Sequence, residues 1–85
     1  MLCTREITVR LPGGLRHQDA THFIQTANSF DSVIRLTCGG NSVNAKSLLG
    51  LVSLNIGPGM KILLSAEGKD AEAAVDALER CLAGA

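Results

Sequence analysis

The segment "VIRLTCGGNSVN", residues 33–44, decides the fold class. "VIRLTC", 33–38, is rich in branched aliphatic residues over the length of one strand. Gly39-Gly40-Asn41 reads as a hairpin turn, because glycine accepts the positive φ that such turns demand. "SVN" is then a short returning strand. A hairpin fixes antiparallel pairing, so the sheet that receives these strands is not the all-parallel sheet of a βαβ protein.

Working outward, the period of the apolar residues changes along the chain. In "CTREITVRL", 3–11, Ile7, Val9 and Leu11 alternate with Glu6, Thr8 and Arg10, which predicts a half-buried strand ended by "PGG" at 12–14. From residue 17 to Asn28, Ala20, Phe23, Ile24 and Ala27 follow the spacing of one helix face. Downstream, Ser47 followed by Leu48, Leu49, Leu51 and Val52 predicts a short helix with serine as its N-cap. "NIGPGM" is a loop, in which Gly57, Pro58 and Gly59 serve conformation rather than chemistry. "KILLSAEG", 61–68, is a strand. Asp70 is expected to cap a final helix whose apolar face is Ala71, Ala74, Val75, Leu78, Cys81 and Leu82.

The order is βαββαβα, and with the hairpin it gives an α+β domain with helices on one face of an antiparallel sheet. Ferredoxin-like ligand and RNA-binding modules begin in the same order, so the order alone names no function. No linker, internal repeat or low-complexity segment interrupts residues 1–85, which read as a single domain.

Composition removes several function classes. The net charge is zero, so there is no basic field to hold nucleic acid or an anionic membrane. Aromatics are 2%, only Phe23 and Phe30, too few for a base-stacking platform. Hydrophobic residues at 46% argue against disorder. "MLCTREITVR" carries charge where a signal peptide needs an apolar stretch, and no apolar run would span a bilayer, so a cytoplasmic location is expected. Cys3, Cys38 and Cys81 are widely spaced and odd in number, without metal-type spacing, and read as reduced core or edge residues. No cofactor or metal is implied.

Both histidines fall in "GLRHQDATHF", 14–23, at the entrance of the first helix. His17 and His22 lie five residues apart and so do not share a helix face, which argues against a metal pair.

Three stretches carry a family resemblance: "NAKSLLGLVSLNIGPGMKI", 44–62; "FIQTANSFDS", 23–32; and "PGGLRHQDATHF", 12–23. Over nearly its whole length the chain resembles the HPr family, the small phosphocarriers of the bacterial sugar phosphotransferase system. The resemblance implies an open-faced β-sandwich: a four-stranded antiparallel sheet with three helices on one face. It also implies a site in the third stretch, whose family pattern is P-x-G-L-H-A-R-P-A-A-x-F. Pro12, Gly14, Leu15, Ala20 and Phe23 match that pattern. The phosphoryl-accepting histidine, however, falls on Arg16, the helper arginine on Gln18 and the following proline on Asp19, while His17 stands where alanine is usual.

Those departures remove the chemistry that the pattern serves. A guanidinium stays protonated and has no usable lone pair, so Arg16 cannot carry a phosphoryl group. His17 is displaced by about 100° around a helix. At ~6 Å the charge of Asp19 would oppose each unit of phosphoryl charge by roughly 0.7 to 3 kcal/mol. Asp19 fits better as a first-turn acid that favours the helix by about 0.3–1 kcal/mol. Arg16 remains open between a solvated loop cation and a partner-contacting residue.

Ser47 differs, because Asn44, Ala45, Lys46, Leu48, Leu49, Gly50 and Leu51 around it match the family's regulatory-serine segment. The resemblance implies phosphorylation of Ser47 by the family's serine kinase/phosphorylase. Leu48, Leu49 and Leu51 are more leucine than so short a segment needs for the core, so a docking patch is expected there together with Arg16 and Lys46, with simple burial for at least one leucine. The expectation is a non-enzymatic regulator resembling the catabolite-repression members, which lack the histidine, keep the serine and bind a LacI-type catabolite-control repressor when serine-phosphorylated. Gln18 in place of the arginine weakens that docking surface. Two alternatives stay open: a phosphocarrier that uses His17, and an unmodified scaffold or decoy that binds phosphotransferase partners.

Overall fold

The computed structural model describes residues 1–15 and 17–83, with the backbone alone at His17. The elements run β1 (Leu2–Thr8), α1 (His17–Asn28), β2 (Val33–Cys38), β3 (Asn41–Asn44), α2 (Leu48–Ser53), β4 (Lys61–Glu67) and α3 (Ala71–Ala83). The four strands form one sheet in the order β1-β4-β2-β3, with every pair antiparallel. The chain thus has the expected α+β architecture.

The hairpin forms with a two-residue turn. Cys38 pairs with Asn41, and Gly39 and Gly40 have φ of 59° and 86°. Positive φ at both central residues is the requirement of a type I′ turn, whose twist matches that of the strands. Asn41 therefore belongs to β3 rather than to the turn.

Alternation in the strands becomes burial on one face. Ile7, Ile34, Leu36, Ile62, Leu64 and Ala66 are buried, whereas Val33, Arg35, Lys61, Leu63 and Glu67 are exposed. Onto the buried face α1 brings Ala20, Phe23 and Ala27, α2 brings Leu51, and α3 brings Ala71, Ala74, Val75, Leu78 and Leu82. Burial of each such aliphatic or aromatic side chain contributes about 1.5–3 kcal/mol. Cys81, expected on the apolar face of α3, is half-buried at its margin, with Sγ 3.6 Å from Thr26 Oγ1.

Two expected boundaries shift for identifiable reasons. The alternation of the first strand continues to Leu11, but β1 stops at Thr8. From Val9 onward the backbone bonds to other partners: Val9 N–H to Met60 O (2.9 Å), Gly59 N–H to Val9 O (2.8 Å) and Arg10 N–H to Leu82 O (2.8 Å). β4 ends at Glu67, because Gly68 leaves the strand with φ 153° and packs on Ser32, where a Cβ would meet the Ser32 Oγ and Cα.

Asp70 corrects an expectation. Its carbonyl accepts the first bond of α3, from Ala74 N–H at 2.9 Å, so it stands at the cap position. Its carboxylate, however, crosses to the α1–β2 loop and accepts from the N–H of Asp31 (2.9 Å), the N–H of Ser32 (3.0 Å) and the Ser32 hydroxyl. These bonds, that of the Ser32 hydroxyl first, hold the Asp70 carboxyl below its ordinary value of 3.8.

Candidate functional site

The entrance of α1 is built by contacts that leave its exposed residues free. Gly14 has φ 73°, and a Cβ there would strike the carbonyl oxygen of Ile56 and the Cα of Gly57. Leu15 is buried and its N–H donates to Ile56 O at 3.0 Å. The approach to α1 is thereby fastened to the loop between α2 and β4. Ala20 and Phe23 then anchor the helix from below. Gln18 and Asp19, in the first turn, are exposed.

His17 is the first residue of α1. Its side chain, and Arg16 altogether, lie outside the described residues, and with them the expected docking role of Arg16. His22 is exposed, and its backbone carbonyl accepts from the Thr26 hydroxyl at 2.9 Å. Among the described residues no group of three or more potential metal ligands comes together.

The Ser47 segment is the more completely built of the two. Asn44 starts it: its side-chain oxygen accepts from Lys46 N–H at 2.8 Å and its carbonyl from Ser47 N–H at 3.0 Å. This is the local turn chemistry that asparagine favours. Ser47 then stands at the N-cap of α2 in an extended conformation, φ −108° and ψ 116°, as its sequence context predicts. Its Oγ accepts from Gly50 N–H at 3.3 Å, and Leu51 N–H bonds to its carbonyl at 3.0 Å. Gly50 packs its bare Cα on Val43, where an added Cβ would lie 3.1 Å from the valine Cβ.

The apolar residues of α2 divide sharply. Leu48 (47%) and Leu49 (81%) are exposed, with Val52 (41%) beside them, whereas Leu51 is 0% exposed. Leu51 is therefore corrected from docking residue to core residue: it is the one side chain of α2 that faces the sheet, and it can meet no partner while α2 is folded. Lys46 also differs from a free docking cation. It is half-buried, and its ammonium donates to the Phe30 carbonyl at 2.9 Å.

Among the described residues, three long-range ties made by charged side chains escaped the sequence reading. They are the Asp70 carboxylate on Asp31 and Ser32, the Lys46 ammonium on Phe30, and Arg5 on Asp76 and Glu79. Arg5 shares the inner face of β1 with Cys3 and Ile7, and its Nη1 lies 2.6 Å from Asp76 Oδ1 and 2.8 Å from Glu79 Oε1 on α3. Both hydrogen bonds, that to Asp76 first, raise the guanidinium above its ordinary value. The spacing of Asp76 and Glu79, three apart on one helix face, was a usable signal for a shared cation. Nothing near Asp70 or Lys46 in sequence pointed to their partners.

Comparison with known proteins agrees with this geometry. Residues 3–83 match the family described as PTS HPr component phosphorylation site. The HPr-like protein Crh of Halalkalibacterium halodurans is 45% identical over 74 residues, 87% of this chain and 88% of that protein. The crystal structure of the phosphocarrier protein HPr from Bacillus anthracis superposes with a TM-score of 0.93 at 40% identity, covering 95% of this chain and 96% of that one. The crystal structure of Bacillus subtilis Crh, described as a catabolite repression protein forming a swapped dimer, gives a TM-score of 0.76 at 38% identity over 92% of this chain and 90% of that one. With its one-sided helix layer over an antiparallel four-stranded sheet and its match from residue 3 to residue 83, the chain belongs to the HPr family of the phosphotransferase system.

Proposed function

We propose that the chain is a single-domain cytoplasmic regulator of carbon catabolite control that signals through phosphorylation of Ser47 and protein docking, without histidine phosphotransfer. The observation that carries this reading is the contrast between the two segments. Ser47 sits on an intact N-cap with Leu48 and Leu49 turned outward beside it. The acceptor position of the other segment holds Arg16, which has no nucleophilic lone pair. The similarity to Crh proteins supports the same division.

The partners of this reading are the family's serine kinase/phosphorylase and a LacI-type catabolite-control repressor. The phosphate would need cations on the partner, and the leucines an apolar cleft. Incubation with the kinase and ATP, followed by peptide mass mapping, tests it. One added phosphate on the peptide that contains Ser47 is expected. An unmodified Ser47 beside a phosphorylated HPr in the same tube would leave the scaffold reading in its place.

His17 supports a second reading, because it opens α1, where free backbone N–H groups favour a phosphoryl group. Under the regulator reading, phosphoenolpyruvate and the upstream phosphotransferase enzyme add no phosphate. An acid-labile phosphate lost in His17→Ala would establish the carrier instead.

A further inference from the structure

Lys46 spans two parts of the fold. Its N–H is held by Asn44 in the turn that presents Ser47, while its ammonium reaches the carbonyl of Phe30, sixteen positions away in sequence, at 2.9 Å. Phe30 follows α1, and its own N–H bonds back to Ala27 O at 3.2 Å. The lysine therefore joins the end of α1 to the beginning of the Ser47 segment. The contact pairs a full charge with a neutral oxygen, and a lysine ammonium is a point charge on a flexible stem with three donors.

A phosphate on Ser47 would place a charge of about −1.5 to −2 on the adjoining residue. Two full charges attract more strongly than a charge and a carbonyl dipole, and the ammonium ends a flexible stem on the residue that adjoins Ser47. We propose that Lys46 is a two-position cation, which holds the Phe30 carbonyl while Ser47 is free and turns to the phosphate when Ser47 is modified. The Phe30 carbonyl then loses its partner, and the modification is transmitted to the end of α1. The change stops there, because the N–H groups of Asp31 and Ser32 are held separately by Asp70.

This inference rests on the reading of Ser47 as a modification site, and encoding phosphoserine directly at position 47 tests it without any kinase. The readouts are the carbonyl ¹³C resonance of Phe30 and amide hydrogen exchange, compared with the unmodified protein. Phosphoserine is expected to move the Phe30 carbonyl resonance upfield, to the value found in unmodified Lys46→Met. Exchange at Ser29 and Phe30 rises several-fold, and exchange at Ser32 does not change. Adding phosphoserine to Lys46→Met produces no further carbonyl shift, whereas Lys46→Arg keeps a response. A Phe30 carbonyl that does not move between the unmodified and phosphoserine proteins overturns the switch, and that pair decides the matter even if the Lys46 variants fold poorly. Kinase inertness of Ser47 would instead remove the functional reading and leave the measured shift standing.

Discussion

At the scale of single residues, the leucines of α2 separate packing from the proposed docking. Leu51 is fully buried, so Leu51→Ala removes its contacts and leaves a cavity, at a cost of about 2–5 kcal/mol in urea unfolding. Leu49→Asp, at 81% exposure, changes stability by no more than about 0.5 kcal/mol yet, under the proposed function, is expected to abolish binding of the phosphorylated protein to the repressor. A Leu49→Asp protein that unfolds as readily as Leu51→Ala would remove the outward patch from consideration. Asp70 makes a prediction of a different kind. Its folded value is depressed, so its carboxylate supports the fold above the unfolded value of about 3.9, and that support is lost as pH falls from there through the lower folded value. Asp70→Asn keeps the shape but not the charge. The urea midpoint of that variant should start lower at neutral pH and decline less steeply in this acid window than that of the unaltered protein.

At the scale of elements, the decisive joints are those between segments far apart in sequence. Gly14→Ala must place a Cβ at φ 73° against the Ile56 carbonyl, and it is expected to cost more than about 1 kcal/mol, measured by the same unfolding. Arg5 ties the edge strand β1 to α3, and its two carboxylate partners are each partly exposed. Arg5→Ala should therefore cost at most about 1 kcal/mol, and the loss should shrink in high salt. A salt-independent loss several times larger would mean that the arginine stem, and not its charge, holds the strand. These elements were legible in sequence to different degrees. The hairpin, the span of α1 and the Ser47 cap follow from local rules of φ, period and capping; α1 and the cap stand where the sequence places them, and the hairpin turn is one residue shorter, because Asn41 pairs in β3. The destination of the Asp70 carboxylate was not legible, because an aspartate before a helix reads as a cap in sequence whichever way its side chain turns. The inward Leu51 was legible only as one of three leucines, since six residues make less than two turns and fix no unique face.

At the scale of the whole molecule, a single core lies between one sheet face and three helices, and the polar ties lie around its margin. The proposed phosphorylation of Ser47 would add charge at that margin, beside the exposed start of α2. The urea-derived stability of the phosphorylated protein should stay within ~1 kcal/mol of the unmodified value, in a single transition. A larger loss, or a second transition, would mean that the modification acts by unfolding rather than through a partner. Recognition by a cationic partner should weaken as salt rises, because the phosphate remains in solvent. The fastening of the α1 entrance through Gly14 and Leu15 has a historical consequence. Stability rests on those two residues and on Ala20 and Phe23 beneath, while Gln18 and Asp19 pack against nothing in the core. Under the proposed function, in which transfer of a phosphoryl group is no longer selected, such positions could accumulate substitutions at no cost to the fold. A lineage could then pass from carrier to signal without crossing an unstable ancestor.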